Sequence, residues 1–411
     1  MPSTPGRTRT SLLRTRGEQD SGRVGYVELF FDLVFVFAVT QLSHTLLTHL
    51  TASGVAEVSL LLLGVWWVWI NTSWVTNWLD PERIPVRIAV LALMLAGLWI
   101  SVAIPQAFDT RGAVFACAYV AMQLGRSLFF LWAVRGEPVH MRRNFQRILA
   151  WHSLSAVCWV IGAANTHDAR FAWWALALAI ETLGPIAYFW VPGLGRSTIE
   201  DWDIEGGHLA ERCALFIIIA LGESLLVTGA TFAALEWNGD VLLAFANAVL
   251  GTVLLWWIYF DTGAPRATRR IENARNPGRE GRSAYTYAHI LIVAGIIVCA
   301  VADELVLARP RQGDGMQRAV VVGGPLLYLL GTASFKWITN DRRAPPLSHL
   351  AGLALFAVLA GVAWRHPLSP LVLALLANAV LAVVAVWESL AIRHGARPPE
   401  AARGGGRDKR P

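Results

Sequence analysis

Twelve apolar runs follow one another along this chain. Most have the length a helix needs to cross about 30 Å of hydrocarbon at about 1.5 Å per residue. They cover 28–48, 56–78, 85–104, 112–134, 146–165, 171–192, 208–231, 240–261, 285–307, 318–338, 347–363 and 368–391, of which 347–363 is short and rich in Gly and Ala. A soluble fold would have to hide these runs beneath polar surface. With 55% hydrophobic and 16% charged residues, the chain has too little polar material to do so. A bilayer lifts the demand, because the outer surface is then apolar. The expected fold class is all-α, a polytopic transmembrane helical bundle of about 12 helices.

The charge distribution orients this bundle. The net charge of +6 resides in short loops and tails, where it sets topology and does not read as a nucleic-acid footprint. With the N-terminus placed in the cytoplasm, inside segments carry Arg83, Arg135, Arg142, Arg143, Arg196, the 266–282 arginines, Arg342, Arg343 and both basic tails; outside loops carry Arg111, Arg170, Arg309, Arg311 and Arg365. That alternation predicts an even number of spans with both termini cytoplasmic, the 308–317 loop being the exception. Residues 1–25 read as a disordered basic tail with no cleavable signal peptide, and 393–411 as a second such tail. Between them lie a first transmembrane half (26–192), a cytoplasmic connector (193–207) and a second half (208–392). Cys117, Cys158, Cys213 and Cys299 sit inside apolar runs without metal-type spacing and read as packing residues. Trp78, Trp190, Trp237, Trp337 and Trp364 lie near run ends, as interfacial anchors do.

A repeat underlies the pattern. Trp66-Trp67-Val68-Trp69-Ile70-Asn71-Thr72 in the second run answers Trp256-Trp257-Ile258-Tyr259-Phe260-Asp261-Thr262 in the eighth. Glu28 leads to Gln41 and Ser43 in the first run, as Glu211 leads to Glu223 and Ser224 in the seventh. Leu124, Gly125 and Phe129 match Leu330, Gly331 and Phe335, and Glu181 and Trp190 match Asn378 and Trp387. Four matches in one order predict a six-plus-six duplication, its halves related by an axis along the membrane normal.

The stretch Val27-Glu28-Leu29-Phe30-Phe31-Asp32-Leu33-Val34-Phe35-Val36-Phe37-Ala38-Val39-Thr40-Gln41-Leu42-Ser43 resembles the opening signature of the bacterial low temperature requirement A family. His208, Glu211-Arg212 and Leu221-Gly222-Glu223-Ser224 resemble its second signature. The resemblance covers about 26–391. It implies a multi-pass protein of the bacterial cytoplasmic (inner) membrane, and it implies no substrate or reaction.

Polar groups at membrane depth are the candidate site. An ionisable side chain there costs roughly 2.5–3.5 kcal/mol on insertion scales, so it faces a partner or a water-filled cavity. Glu223 lies about 18 Å past Glu211, near the midplane, among residues that offer no countercharge. Glu181 is comparable, followed by Gly184-Pro185, a potential kink. With Gln41, Ser43 and Ser224 these form the candidate substrate or ion pathway, the other reading being hydrogen-bonded glue between helices. Glu28, Asp32, Arg126, His208, Glu211 and Arg212 form a cytoplasmic-side charged cluster. Within it a buried ion pair is expected between Asp32 and Arg126, or of one of them with Glu211 or Arg212. Asn71, Thr72, Asp261 and Thr262 read as polar pairs at helix ends, capping the helices or lining a vestibule. His44, His152, Asp303 and Glu304 read as interfacial or singly satisfied.

No Walker loop, dinucleotide fingerprint, nucleophile elbow or HExxH helix appears, and neither a metal site nor a cofactor is expected. The leading expectation is a proton- or ion-coupled secondary transporter. The alternatives are a non-catalytic membrane sensor or scaffold and a membrane-embedded lipid-modifying enzyme, the basic 263–283 loop being the feature nearest to either. Expected partners are membrane lipid and an unidentified small solute or ion, with no nucleic acid.

Overall fold

The computed structural model describes residues 11–14, 23–202, 204–261, 263, 268, 270–271, 277–339 and 344–395. Among the described residues, secondary structure is helical apart from two isolated bridges, Leu13 with Leu79 and Val191 with Gly195. Twelve long helices follow the twelve apolar runs: α1 (Tyr26–Thr48), α2 (Ala52–Trp78), α3 (Ile84–Ala103), α4 (Gly112–Ala133), α5 (Val139–Ala163), α6 (His167–Ile186), α7 (Gly206–Ala233), α8 (Gly239–Phe260), α9 (His289–Ala308), α10 (Gly315–Thr339), α11 (Leu347–Arg365) and α12 (Pro370–Gly395). A π-helical stretch, Arg282–Ala288, leads into α9. Ten of these segments are long and apolar enough to cross a membrane; α5 and α6 are the two that fall short.

Local chemistry starts several helices. The Thr51 hydroxyl accepts from the Gly54 N–H at 3.1 Å, Asn238 Oδ1 accepts from Asp240 and Val241, and Asp314 Oδ1 accepts from Gln317 at 2.7 Å. Each satisfies N–H groups that a first helical turn leaves without partners. Pro370 opens α12 at a position where its missing N–H costs nothing. The outer faces then carry large apolar side chains such as Leu95, Val160, Leu226, Val358 and Val386, all exposed in the isolated chain and suited to lipid.

Within 26–186, α1 packs on α2 and α3, then α3 on α4, α4 on α5 and α5 on α6, with α6 also reaching α2. Within 206–395, α7 packs on α8 and α9, then α9 on α10, α10 on α11 and α11 on α12, with α12 also reaching α8. The two sets meet where α1 and α2 pack against α7 and α9. The Trp66 indole crosses that seam and donates to the Thr286 carbonyl at 2.7 Å.

Four expectations need correction. Ser11–Arg14 is no solvated tail: Leu13 is buried, Arg14 N–H donates to the Trp78 carbonyl at 2.8 Å and Asp80 N–H to the Leu12 carbonyl at 2.9 Å. This short segment spends its backbone hydrogen bonds on the end of α2. Asn71 and Thr72 do not end their helix, which continues to Trp78 because the residues after them are also buried and apolar or small. Helix α6 stops at Ile186, well before 192. The chain reverses there through Tyr188 and Phe189 in left-handed conformations (φ 53° and 47°), and Ser197 N–H returns to the Tyr188 carbonyl at 2.8 Å. Trp78 is 5% exposed and packs edge-on against Phe130 and Phe145, so it is a core residue and no interfacial anchor.

Candidate functional site

Helices α1 and α7 run side by side in the same direction, since they touch at two levels. At their N-terminal ends, Glu28 and Asp32 of α1 meet His208 and Arg212 of α7. All four have no exposed surface. The spacing of four on each helix puts both partners on one face. Arg212 forms a short ion pair with one Asp32 oxygen and lies 3.6 Å from Glu28 Oε1. It donates to Thr76 of α2 at 2.8 Å, and its guanidinium sits 5.7 Å and 5.6 Å from the ring centres of Phe31 and Trp69. The Trp69 indole donates to the same Asp32 oxygen at 2.7 Å. His208 Nε2 lies 3.1 Å from Glu28 Oε1, and Arg14 reaches Glu28 Oε2 at 2.6 Å. Two buried atoms, Asp32 Oδ2 and Arg212 Nε, take no hydrogen bond.

The ion pair of Asp32 is therefore with Arg212, and the pairing with Arg126 does not form. Arg126 lies deeper in the first half, where it donates to the Val68 carbonyl at 3.3 Å and to Thr72 Oγ1 at 3.2 Å and contacts Gln123. Glu211 stays at the edge, half-buried, accepting from the Val24 N–H at 3.1 Å.

The second level lies about 12 Å further along α1, eight residues past Asp32. Between the two levels Val36 and Val39 of α1 and Ile217 and Ala220 of α7 are buried, while Phe35 packs on α3 at Gly97 and Phe216 on Trp66 and Trp69 of α2. Beyond this apolar plug a cavity of 180 Å³ opens between α1, α7 and α9. Its polar lining is Thr40, Gln41, Ser43 and His44 of α1, Glu223 and Ser224 of α7, and Glu304 of α9. Thr40 donates to one Glu223 oxygen at 3.1 Å. No hydrogen bond is formed by the other Glu223 oxygen or by the Gln41 side-chain amide among the described residues. Four of the five pathway residues thus share one space.

Glu181 is elsewhere. It is buried inside the first half and accepts four hydrogen bonds: Tyr119 at 2.7 Å, Gln123 at 2.6 Å, Ser155 at 2.7 Å and Trp159 at 3.1 Å. A carboxylate with four donors has no valence left for a passing solute. Asn71 lines a different, aromatic-walled cavity of 40 Å³ with Trp67, Trp74, Arg126 and His152. Thr72 accepts from Arg126, as above. Asp261, the residue that closes α8, is exposed and accepts from Ser389 at 2.9 Å. Thr262 lies outside the described residues.

Several members of these clusters escaped the sequence reading. Thr76 and Trp69 enter the charge network from a Trp-rich run whose residues alone do not tell which face turns inward. Arg14 is separated from Glu28 by residues that give no sign of contact. Thr40 is the neighbour of Gln41 in the opening motif, and its position one step before the pathway residue was the available signal.

A family model for the bacterial low temperature requirement A protein (LtrA) matches residues 23–386. An uncharacterized protein of Rhizobium meliloti (strain 1021) is 42% identical over 383 residues, covering 91% of this chain and 91% of that protein. No solved structure matches. Both motif regions, and the helices that carry them, fall inside the matched residues, and the chain belongs to the bacterial low temperature requirement A family of multi-pass membrane proteins.

Proposed function

We propose that this chain is a proton- or ion-coupled secondary transporter of the bacterial cytoplasmic membrane. In this reading it is built as six plus six helices with both termini in the cytoplasm, and its solute path runs between α1, α7 and α9. The carrying observation is the pairing on one helix seam of a cavity that holds Glu223 and Gln41 with a buried charge network, separated by an apolar plug. Glu223, Gln41, Ser43 and Ser224 form the solute site, and Glu28, Asp32, His208 and Arg212 form the closed gate at the other end.

Three physical points support the reading. A carboxylate with a free oxygen at membrane depth is costly unless water or a cation reaches it. A charge network that leaves Asp32 Oδ2 and Arg212 Nε unsatisfied holds its closed form with less than its full hydrogen bonding, which suits an element that must open. The same helix pairs pack within each half, and α1 and α7, equivalent under a six-plus-six repeat, border the cavity. Paths at the contact of two such halves are the common arrangement in transporters of this build. Neither a scaffold nor a lipid-modifying enzyme requires such a cavity sealed at one end.

The test is flux. Purified protein in liposomes with an entrapped pH-sensitive dye, or in a parallel set a sodium-sensitive dye, is placed under an imposed potassium diffusion potential. The reading predicts proton or sodium uptake above that of protein-free liposomes, strongly reduced in Glu223→Gln. Flux equal to empty liposomes for both ions would remove the transport reading, and flux unchanged in Glu223→Gln would remove that residue from it.

A further inference from the structure

A third cavity, of 30 Å³, lies wholly within the second half, between α7, α8, α9, α10 and α12. We infer that it binds a monovalent cation of sodium size through oxygens of Asp303, Asn247, Asn378 and Ser224. All four residues line it. By helix position each lies about 7–14 Å from the ends at which α7 and α9 finish and α8 and α12 begin, so their depths differ by no more than about 7 Å.

The side-chain chemistry selects a cation. Asn247 is 4% exposed, and its Oδ1 takes no hydrogen bond. Asn378 commits its Nδ2 to the Asn247 carbonyl at 2.7 Å, which fixes its amide and leaves Oδ1 as an acceptor. Gly251 makes room for that amide: a Cβ there would stand 3.1 Å from Asn378 Oδ1. The Thr252 hydroxyl, also at the wall, donates to the Ala248 carbonyl at 3.3 Å and offers only lone pairs inward. Asp303 forms neither an ion pair nor a hydrogen bond among the described residues, and the lining contains no Lys, Arg or His. Buried acceptors left open and a carboxylate without a countercharge are both expensive in a low dielectric. One bound cation relieves all of them together. Hard cations prefer oxygen ligands of this kind. One carboxylate among neutral oxygens balances a single positive charge, and the more concentrated charge of sodium gains more from that carboxylate than potassium does.

Ser224 and Ile296 line this cavity and the solute cavity alike. A cation here is one side chain away from Glu223, which would make it the coupling ion. That role rests on the transport reading; the binding itself does not.

The experiment is equilibrium binding of radioactive sodium to the full chain in detergent, at constant ionic strength with choline as replacement. The expected result is saturable binding that potassium competes with only weakly. Asp303→Asn and Asn378→Ala should each weaken it by about 10–100-fold, the range seen when support of a metal site is removed, and Glu181→Gln, in the other half and outside both cavities, should leave it unchanged. Monodispersity on gel filtration checks that both variants fold, and Asn247→Ser serves as a milder third variant with the same expected direction. No saturable sodium binding, or binding unchanged in all three variants, would overturn the site. So would a cavity that responds to pH alone, which would mean that Asp303 carries a proton instead. If binding fails while Glu223-dependent flux persists, the sodium site falls and the transporter stands; the reverse result removes transport and keeps the site.

Discussion

At the scale of single residues, two buried acids that look alike in the sequence differ in what holds them. Asp32 is held by one cation, Arg212, and keeps one oxygen unsatisfied. Arg212→Leu should therefore destabilise the protein by about 3–5 kcal/mol, because the Asp32 carboxylate is left buried without its cation, while Glu28 keeps Arg14 and His208. Adding Asp32→Leu should recover part of that loss, and thermal unfolding of the single and double variants in detergent measures it. Glu181 is surrounded by donors only. In Glu181→Gln, whichever oxygen becomes an amide faces an N–H of Gln123 or Trp159. That change should cost about 1–3 kcal/mol of stability and leave ion flux intact. The depth of these acids could be read from the sequence, since position within an apolar run fixes distance along a helix. Their partners could not. Tyr119, Ser155 and Trp159 come from two other helices, and their meeting at Glu181 depends on how α4, α5 and α6 are rotated against one another.

At the scale of helices, α9 and α10 approach one another backbone to backbone. A Cβ on Gly324 would fall 2.8 Å from the Cys299 backbone nitrogen, and one on Gly331 would fall 2.7 Å from that of Ile292. Helices pack in membranes mainly through such close approach at small residues. Gly324→Ala and Gly331→Ala should each cost about 1–3 kcal/mol by overpacking. Gly323→Ala, one residue away in open space, should be neutral or slightly stabilising, and thermal unfolding of the three compares them directly. The existence of all twelve helices was legible, because length and apolarity suffice to mark a span. The ends were less so. Helix α6 loses its last turn to Pro185 and the left-handed pair Tyr188 and Phe189, a reversal that hydrophobicity does not encode. The Leu-Gly-Phe correspondence drew attention to Gly331 as part of a repeat, yet nothing in the spacing says that a backbone passes there.

At the scale of the whole molecule, the claim is that one seam between α1, α7 and α9 is open to a solute at one level and sealed at another. The opening signature and the second signature both lie on that seam, which is why the residues they flag gather at two points while Glu181 and Arg126 do not. The most direct measurement is thiol accessibility in sealed vesicles, with Cys117, Cys158, Cys213 and Cys299 replaced and one cysteine introduced at a time. Gln41→Cys, beside Glu223, should react with a membrane-impermeant thiol reagent applied from one side. Val36→Cys, inside the apolar plug, should stay unreactive under the same conditions. Equal protection of both positions would mean that no water-filled path reaches Glu223, and the bundle would then be a packed scaffold.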